Sequence, residues 1–265
     1  MSSCFLRLFG DIMIFDTHAH YDSEAFDADR DELLGSLREQ GVSAVLNCCS
    51  TYESLKTVPA ICDRHPDVWF AAGLHPSELE DVGEDVFELL DAALSHPKCL
   101  AVGEIGLDYH WDASPREKQK EWFLRQLLIA KEKGLPVVVH DRESHADVLE
   151  LLRKTHPEGV MHCFSGSAET AKEVVGLGLY VGLGGAMTFK NNKKADSVIS
   201  AVPLSRILLE TDCPYMAPEP FRGKRNCSPY IRYVAGKIAA VKGIDTDEVI
   251  RTAAANGRAL FRLGE

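Results

Sequence analysis

No apolar run in this 265-residue chain approaches the roughly 18 residues that a membrane-spanning helix requires. Cys4 to Phe9 is too short and too interrupted for the core of a secretory signal. A soluble, cytoplasmic protein with no membrane partner is expected. Any C-x-x-C pair is also missing. The eight cysteines are scattered, several within apolar stretches, which argues against a zinc ribbon, a redox pair or a disulfide framework and for buried free thiols. Positive charge is scarce: 29 Lys and Arg face 40 Asp and Glu, for a net charge of -11. Such a surface repels polyanions at long range and lacks the basic footprint of a duplex-DNA binder. Any nucleic-acid contact must be local, and Arg222-Gly-Lys-Arg225, with three positive charges in four residues, is the segment that offers one. No linker, charge block or low-complexity stretch divides the chain, so one domain is expected.

A hydrophobic share of 45% supplies a sizeable core, and the length suits the roughly 250 residues of a TIM barrel. From Met13 onward, eight short apolar runs read as strands: Met13 to Phe15, Ala44 to Cys48, Val68 to Ala72, Leu100 to Val102, Pro136 to Val139, Gly159 to Met161, Leu179 to Leu183 and Arg206 to Leu209. Helix-period segments lie between them, most clearly Asp29 to Gln40 and Ser114 to Lys133, the latter opening with Ser114 as N-cap and Pro115 at the first helical position. This alternation predicts an α/β fold, a single (β/α)8 TIM barrel over residues 13–265. An open doubly wound sheet is the alternative, but no G-x-G-x-x-G follows the first strand. Gly182, Gly184 and Gly185 are read as a bend at the end of the seventh strand. Residues 1–12 stand outside the pattern as a loosely attached N-terminal extension, or Met13 is the natural start.

The ionisable residues fall where the strands end. His18 and His20 follow the first strand, Glu104 the fourth, His140 the fifth, His162 the sixth and Asp212 the eighth. In a closed barrel these ends ring one mouth, so residues far apart in sequence converge there. Four imidazoles and two carboxylates suit two first-row divalent ions, which together activate a water and stabilise the oxygens of a displacement. His18 and His20 at i and i+2 share a strand face. Asp16 shares it too and is expected to be either a ligand or a hydrogen-bond partner holding an imidazole. His75, after the third strand, is either a substrate contact or a capping residue. His65, His96, His145 and His156 are read as structural. Alternation points Cys163 and Cys213 away from the site as buried thiols.

Taken in order, Asp16-Thr-His-Ala-His20, Gly103-Glu-Ile-Gly-Leu-Asp-Tyr109, His162-Cys-Phe-Ser-Gly166, Glu210-Thr-Asp-Cys-Pro214 and Arg222-Gly-Lys-Arg-Asn226 resemble the signatures of the TatD family of metal-dependent deoxyribonucleases. The resemblance runs from about Met13 to Phe261. It implies that His18, His20, Glu104 and Asp212 hold one metal and that Glu104, His140 and His162 hold a second, Glu104 bridging. It also implies two divalent ions (Mg2+, Mn2+ or Zn2+) and a hydrolase that cleaves phosphodiester bonds of DNA by an activated water, acting as a 3'-5' exonuclease on ends of single-stranded DNA or RNA. Asp212 and Glu104 are the expected catalytic residues. Arg222, Lys224 and Arg225, with His75, are the expected substrate contacts, and the protein is expected to work as a monomer. One departure is Cys227-Ser228-Pro229, where many relatives carry Glu-Pro, which bears on the substrate loop. Two other functions compete with this one. An amidohydrolase or deacylase, including one acting on D-aminoacyl-tRNA, is disfavoured because Val102-Gly-Glu104 offers no nearby lysine for the carbamylated bridge of many such enzymes. A non-enzymatic protein using the metal as a structural clip would require closed coordination.

Overall fold

A computed structural model describes residues 12–79, 82–111 and 114–264. Eight strands form one sheet in sequential order with every neighbouring pair parallel. They are β1 (Ile14–Ala19), β2 (Val42–Cys48), β3 (Val68–Ala72), β4 (Cys99–Asp108), β5 (Val137–Arg142), β6 (Gly159–Met161), β7 (Tyr180–Leu183) and β8 (Ile207–Leu209). Nine helices among the described residues cover the outside: α1 (Arg30–Ser36), α2 (Ser54–Arg64), α3 (Val86–Leu94), α4 (Arg116–Lys133), α5 (His145–Thr155), α6 (Ala168–Gly176), α7 (Ala195–Ala201), α8 (Ile231–Lys242) and α9 (Thr246–Leu260).

The barrel closes between β1 and the chain just after β8. Thr17 Oγ1 donates to the Leu209 carbonyl at 3.1 Å, Asp212 N to His18 O at 2.9 Å and His20 N to Cys213 O at 2.8 Å. Closure is thus built by the residues that carry the candidate site. Inside the barrel Phe15, Leu46, Ala71, Val138, Val160 and Leu208 pack together. Phe261, past the end of α9, seals that layer, its ring edge-on to Phe15 at 5.9 Å. A second cluster fills the space between strands and helices. α9 shows why such helices form: the Asp245 side chain caps Asp247 N, and Val249, Ile250, Ala253, Ala254 and Leu260 make one buried face.

All eight expected strands are present, with shifted ends. β1, β4 and β5 run three to six residues further than their apolar runs (for β4, to Asp108 instead of Val102). In β4 the reason is visible in the sequence: Ile105 and Leu107 make an apolar face that joins the core while Glu104 and Asp108 line the mouth. α4 begins at Arg116, which puts Pro115 at the N-cap position, and no side chain caps it. Most of the expected extension 1–12 lies outside the described residues; Ile12 is half-buried against the core. No described helix is long and apolar enough to cross a membrane.

Candidate metal centre

His18, His20, Glu104, His140, His162 and Asp212 converge at the mouth on the C-terminal ends of the strands, four of them buried and His140 and Asp212 partly so. Each arrives by a local device. β1 slips in register between Asp16 and Ala19, so simple alternation fails there. The Asp16 carboxylate turns away from the imidazoles and accepts from Thr211 Oγ1 and Ser228 Oγ, both at 2.6 Å, and from Thr211 N at 3.0 Å. It ties β1 to the segments after β8, which corrects the expectation that it holds a histidine ring. Burial lifts its pKa to about 6 against those hydrogen bonds. Ser228, in the segment expected to alter substrate contacts, is fully buried and also meets the Tyr21 hydroxyl at 2.7 Å. Asp212 and Cys163 adopt left-handed φ of 57° and 42°, rare for non-glycine residues and concentrated at functional sites.

Glu104 organises the centre. Its Oε2 lies 3.3 Å from His18 Nε2 and 3.5 Å from His20 Nε2, and the two imidazole nitrogens are 3.0 Å apart. Asp212 Oδ1 joins them at 3.7 Å and 3.4 Å. The other oxygen of Glu104, Oε1, lies 2.8 Å from His140 Nδ1 and 2.7 Å from His162 Nε2, which are 3.2 Å from each other. Ligands about 2.0–2.2 Å from a common ion stand about 2.8 to 3.6 Å apart in octahedral or tetrahedral geometry, and the 2.7–3.7 Å separations of both groups match that spacing to within about 0.1 Å. His75 Nε2 approaches Oε1 at 3.6 Å while its Nδ1 accepts from Ser77 N, so the ring caps one segment and faces the centre with its other edge.

Neighbours fix the rings. His20 Nδ1 donates to the Cys48 carbonyl at 2.9 Å, and His140 Nε2 to Asp108 Oδ2 at 3.1 Å. This is the outer support that metal-ligating histidines use. Burial would raise the Asp108 pKa, but the His140 hydrogen bond and the backbone N–H of Trp111 bring it to about 2. His162 Nδ1 is buried without a partner, 3.9 Å from Glu210 Oε1, and Glu210 Oε2 is likewise unpartnered. Burial lifts the Glu210 pKa to about 8. A Cβ at Gly182 would overlap the Glu210 carboxylate and come within 3.0 Å of His162 Cα, so this glycine serves close approach where a bend was expected. Burial would lower His20, but the Asp212 hydrogen bond and the Glu104 charge lift it to about 10. Burial and the neighbouring His162 charge bring His18 down to about 4. Burial holds Glu104 and Asp212 against ionisation, yet the surrounding imidazoles outweigh it and keep both carboxyls below their ordinary values.

Comparison with known proteins follows from this geometry. Residues 15–262 match the family model of the TatD related DNases. The chain belongs to the TatD family. The metal-dependent hydrolase YabD of Bacillus subtilis is 38% identical over 95% of this chain and 100% of its own. The 3'-5' ssDNA/RNA exonuclease TatD of Cronobacter sakazakii is 32% identical over 94% and 97%. The crystal structure of YjjV, a TatD homologue of Escherichia coli K12, superposes with a TM-score of 0.89 at 32% identity, covering 95% and 98%. As a TatD-family metal-dependent hydrolase the protein is an enzyme, and its donor set fits metal.

Asp108 and Glu210 were missed by sequence reasoning, although each sits at an even spacing from an assigned residue, four after Glu104 and two before Asp212. Cys213 is buried as expected, but Cys163 lines the mouth. It lies beyond the last residue of β6, where alternation no longer applies. Arg222, Lys224 and Arg225 are not among the residues lining the cavity over the centre. Arg225 is held by both oxygens of Asp29 at 2.7 and 2.6 Å, and Arg222 lies over the Phe189 ring. His65 and His145 pair with Asp31 and Asp141, in keeping with structural roles.

Proposed function

We propose that the protein hydrolyses phosphodiester bonds at the ends of single-stranded DNA or RNA, with 3'-to-5' polarity, using two divalent cations joined by Glu104. The observation that carries the two-ion reading is the division of Glu104, one oxygen toward His18, His20 and Asp212 and the other toward His140 and His162. Strand ends as substrate follow the relative named as a 3'-5' ssDNA/RNA exonuclease. Bound there, divalent ions supply Lewis acidity that lowers the pKa of water and offsets charge on phosphate oxygens.

The chain's own residues supply position and proton transfer. Asp212, ionised and the most open of the proposed carboxylate ligands, accepts the proton of the attacking water. His75 faces the same oxygen of Glu104 as His140 and is neutral, burial having brought its pKa to about 3. In this reading its Nε2 donates to a phosphate oxygen. Asp108 and the Cys48 carbonyl keep two rings in fixed orientation. Arg222 and Lys224 stand on a loop pinned at the mouth by Asn226, whose side chain donates to Thr211 O and Tyr215 O at 2.8 Å. They meet phosphates beyond the cavity, Arg225 being already paired.

The test is turnover by metal-reconstituted protein of end-labelled single-stranded DNA and RNA, a small phosphodiester, and matched amide and carboxylic ester substrates. Diester cleavage with mononucleotides released from the 3' end is expected. Cleavage of the amide or ester alone would replace the nuclease reading with a deacylase.

A further inference from the structure

A cavity of about 1000 Å³ opens above the centre, at the upper end of the range for ligand sites and larger than a single phosphate needs. Its rim is divided. Asp22, Glu24, Glu53 and Glu78 stand on the segments after β1, β2 and β3, and among the described residues only Glu53 has a cationic partner, Lys56. On the adjoining arc, after β4 and at the end of β5, stand Trp111 and Arg142.

Trp111 is 64% exposed, the most exposed of the large hydrophobic side chains among the described residues. Its position is fixed from below: Asp108 Oδ1 accepts from the backbone N–H of His110 and Trp111 at 2.9 and 3.2 Å, while Oδ2 of the same carboxylate holds His140. The Arg142 guanidinium stands 5.3 Å from the indole centroid. Arg142 has no carboxylate partner among the described residues and carries the one fixed positive charge among the described lining residues. An exposed indole and an unpaired guanidinium side by side, tied through Asp108 to the metal centre, match a base and its adjoining phosphate.

We propose that Trp111 and Arg142 form a nucleotide subsite beside the scissile bond, the indole stacking on a base and the guanidinium holding the next phosphate. The acidic arc beside it repels a continuing strand, so the polymer enters across β4 and β5 and its terminus stops above β1 to β3. This rests on the phosphodiesterase reading.

The test uses the metal-loaded chain and a single-stranded hexanucleotide. Trp111→Ala should raise KM by roughly 5- to 150-fold, the span of one lost base stack, and Arg142→Ala by roughly 10- to 150-fold, the loss of hydrogen bonds to a charged group, each with a much smaller change in kcat. Trp111→Phe, which keeps a ring, should recover most of the loss. Arg153→Ala, a surface cation on α5 paired with Glu173, should behave as wild type. Binding without turnover gives a second readout. The hexanucleotide in Ca2+ should quench tryptophan fluorescence, and Trp111→Phe should abolish that quench, since Trp122 is buried and Trp69 only partly exposed. Wild-type KM and an intact quench in these variants would overturn the subsite while leaving hydrolysis standing. A wild-type protein that cleaves neither the hexanucleotide nor a small diester would instead overturn the phosphodiesterase reading.

Discussion

Glu104 can serve two clusters because its side chain is buried between them and its oxygens face opposite ways. Removing it deletes one donor from each proposed shell, whereas losing any one imidazole deletes a donor from only one. Glu104→Ala should therefore lower bound metal to about one ion per chain or fewer and abolish turnover, while the chain still unfolds cooperatively. Elemental analysis decides it, and full metal content in that variant would refute the bridge. Asp108 acts one layer out. With Asp108→Asn the His140 ring loses a charged acceptor and its fixed orientation, and metal affinity should fall about 10- to 100-fold, the usual cost of removing such a partner. A chelator titration comparing the variant with wild type measures this, and an unchanged midpoint would show that β5 alone orients the ring.

The strands carry these residues to the mouth, and one glycine shows how tightly. Gly106, between Glu104 and Asp108 on β4, has φ of 150°, and a Cβ there would overlap the His140 carbonyl of β5. Gly106→Ala must push two central strands apart or strain the backbone, at a cost of about 3 kcal/mol. At roughly 2–4 °C per kcal/mol for a domain near this size, melting should fall by about 6–12 °C, read by calorimetry. An unshifted midpoint would mean β4 and β5 separate freely. The eight elements were legible in sequence because each strand has an apolar run, and the six proposed ligands because each stands at or just past the end of one. The rest was hidden by interactions that sequence distance conceals. The slip in β1 turned Asp16 toward Thr211 and Ser228, and no local pattern marks that. The cluster Arg222 to Arg225 was visible as charge, but the partner of Arg225 is Asp29, 196 residues away. Asp108 could have been found, since the alternation of Glu104-Ile-Gly-Leu-Asp108 places both acids on one face of a strand.

Across the whole molecule, a net charge of -11 sets how a polyanion can be held. Binding of a strand to an ordinary basic surface releases a counterion for each phosphate neutralised, giving a slope of about -0.7 per contact in a plot of log affinity against log salt for single strands. Here the fixed cations proposed for the strand are Arg142 in the cavity and Arg222 and Lys224 beyond it, since Arg225 is spent on Asp29. With the scissile phosphate held at the metal centre as a fourth contact, the slope for a long single strand should therefore be no steeper than about -3, and for a dinucleotide, whose one phosphate is the scissile one, near -0.7. Replacing Arg222 and Lys224 with Ala should bring the long strand down to about -1.4, the two contacts left in the cavity, and leave the dinucleotide as it was. Added salt also screens the acidic remainder of the surface within about 10 Å at 0.1 M, which opposes the counterion loss and flattens the dependence further. A wild-type slope of about -4 or steeper, measured by fluorescence titration over a range of KCl, would require more cationic contacts than this mouth offers and would relocate the strand to another face of the barrel.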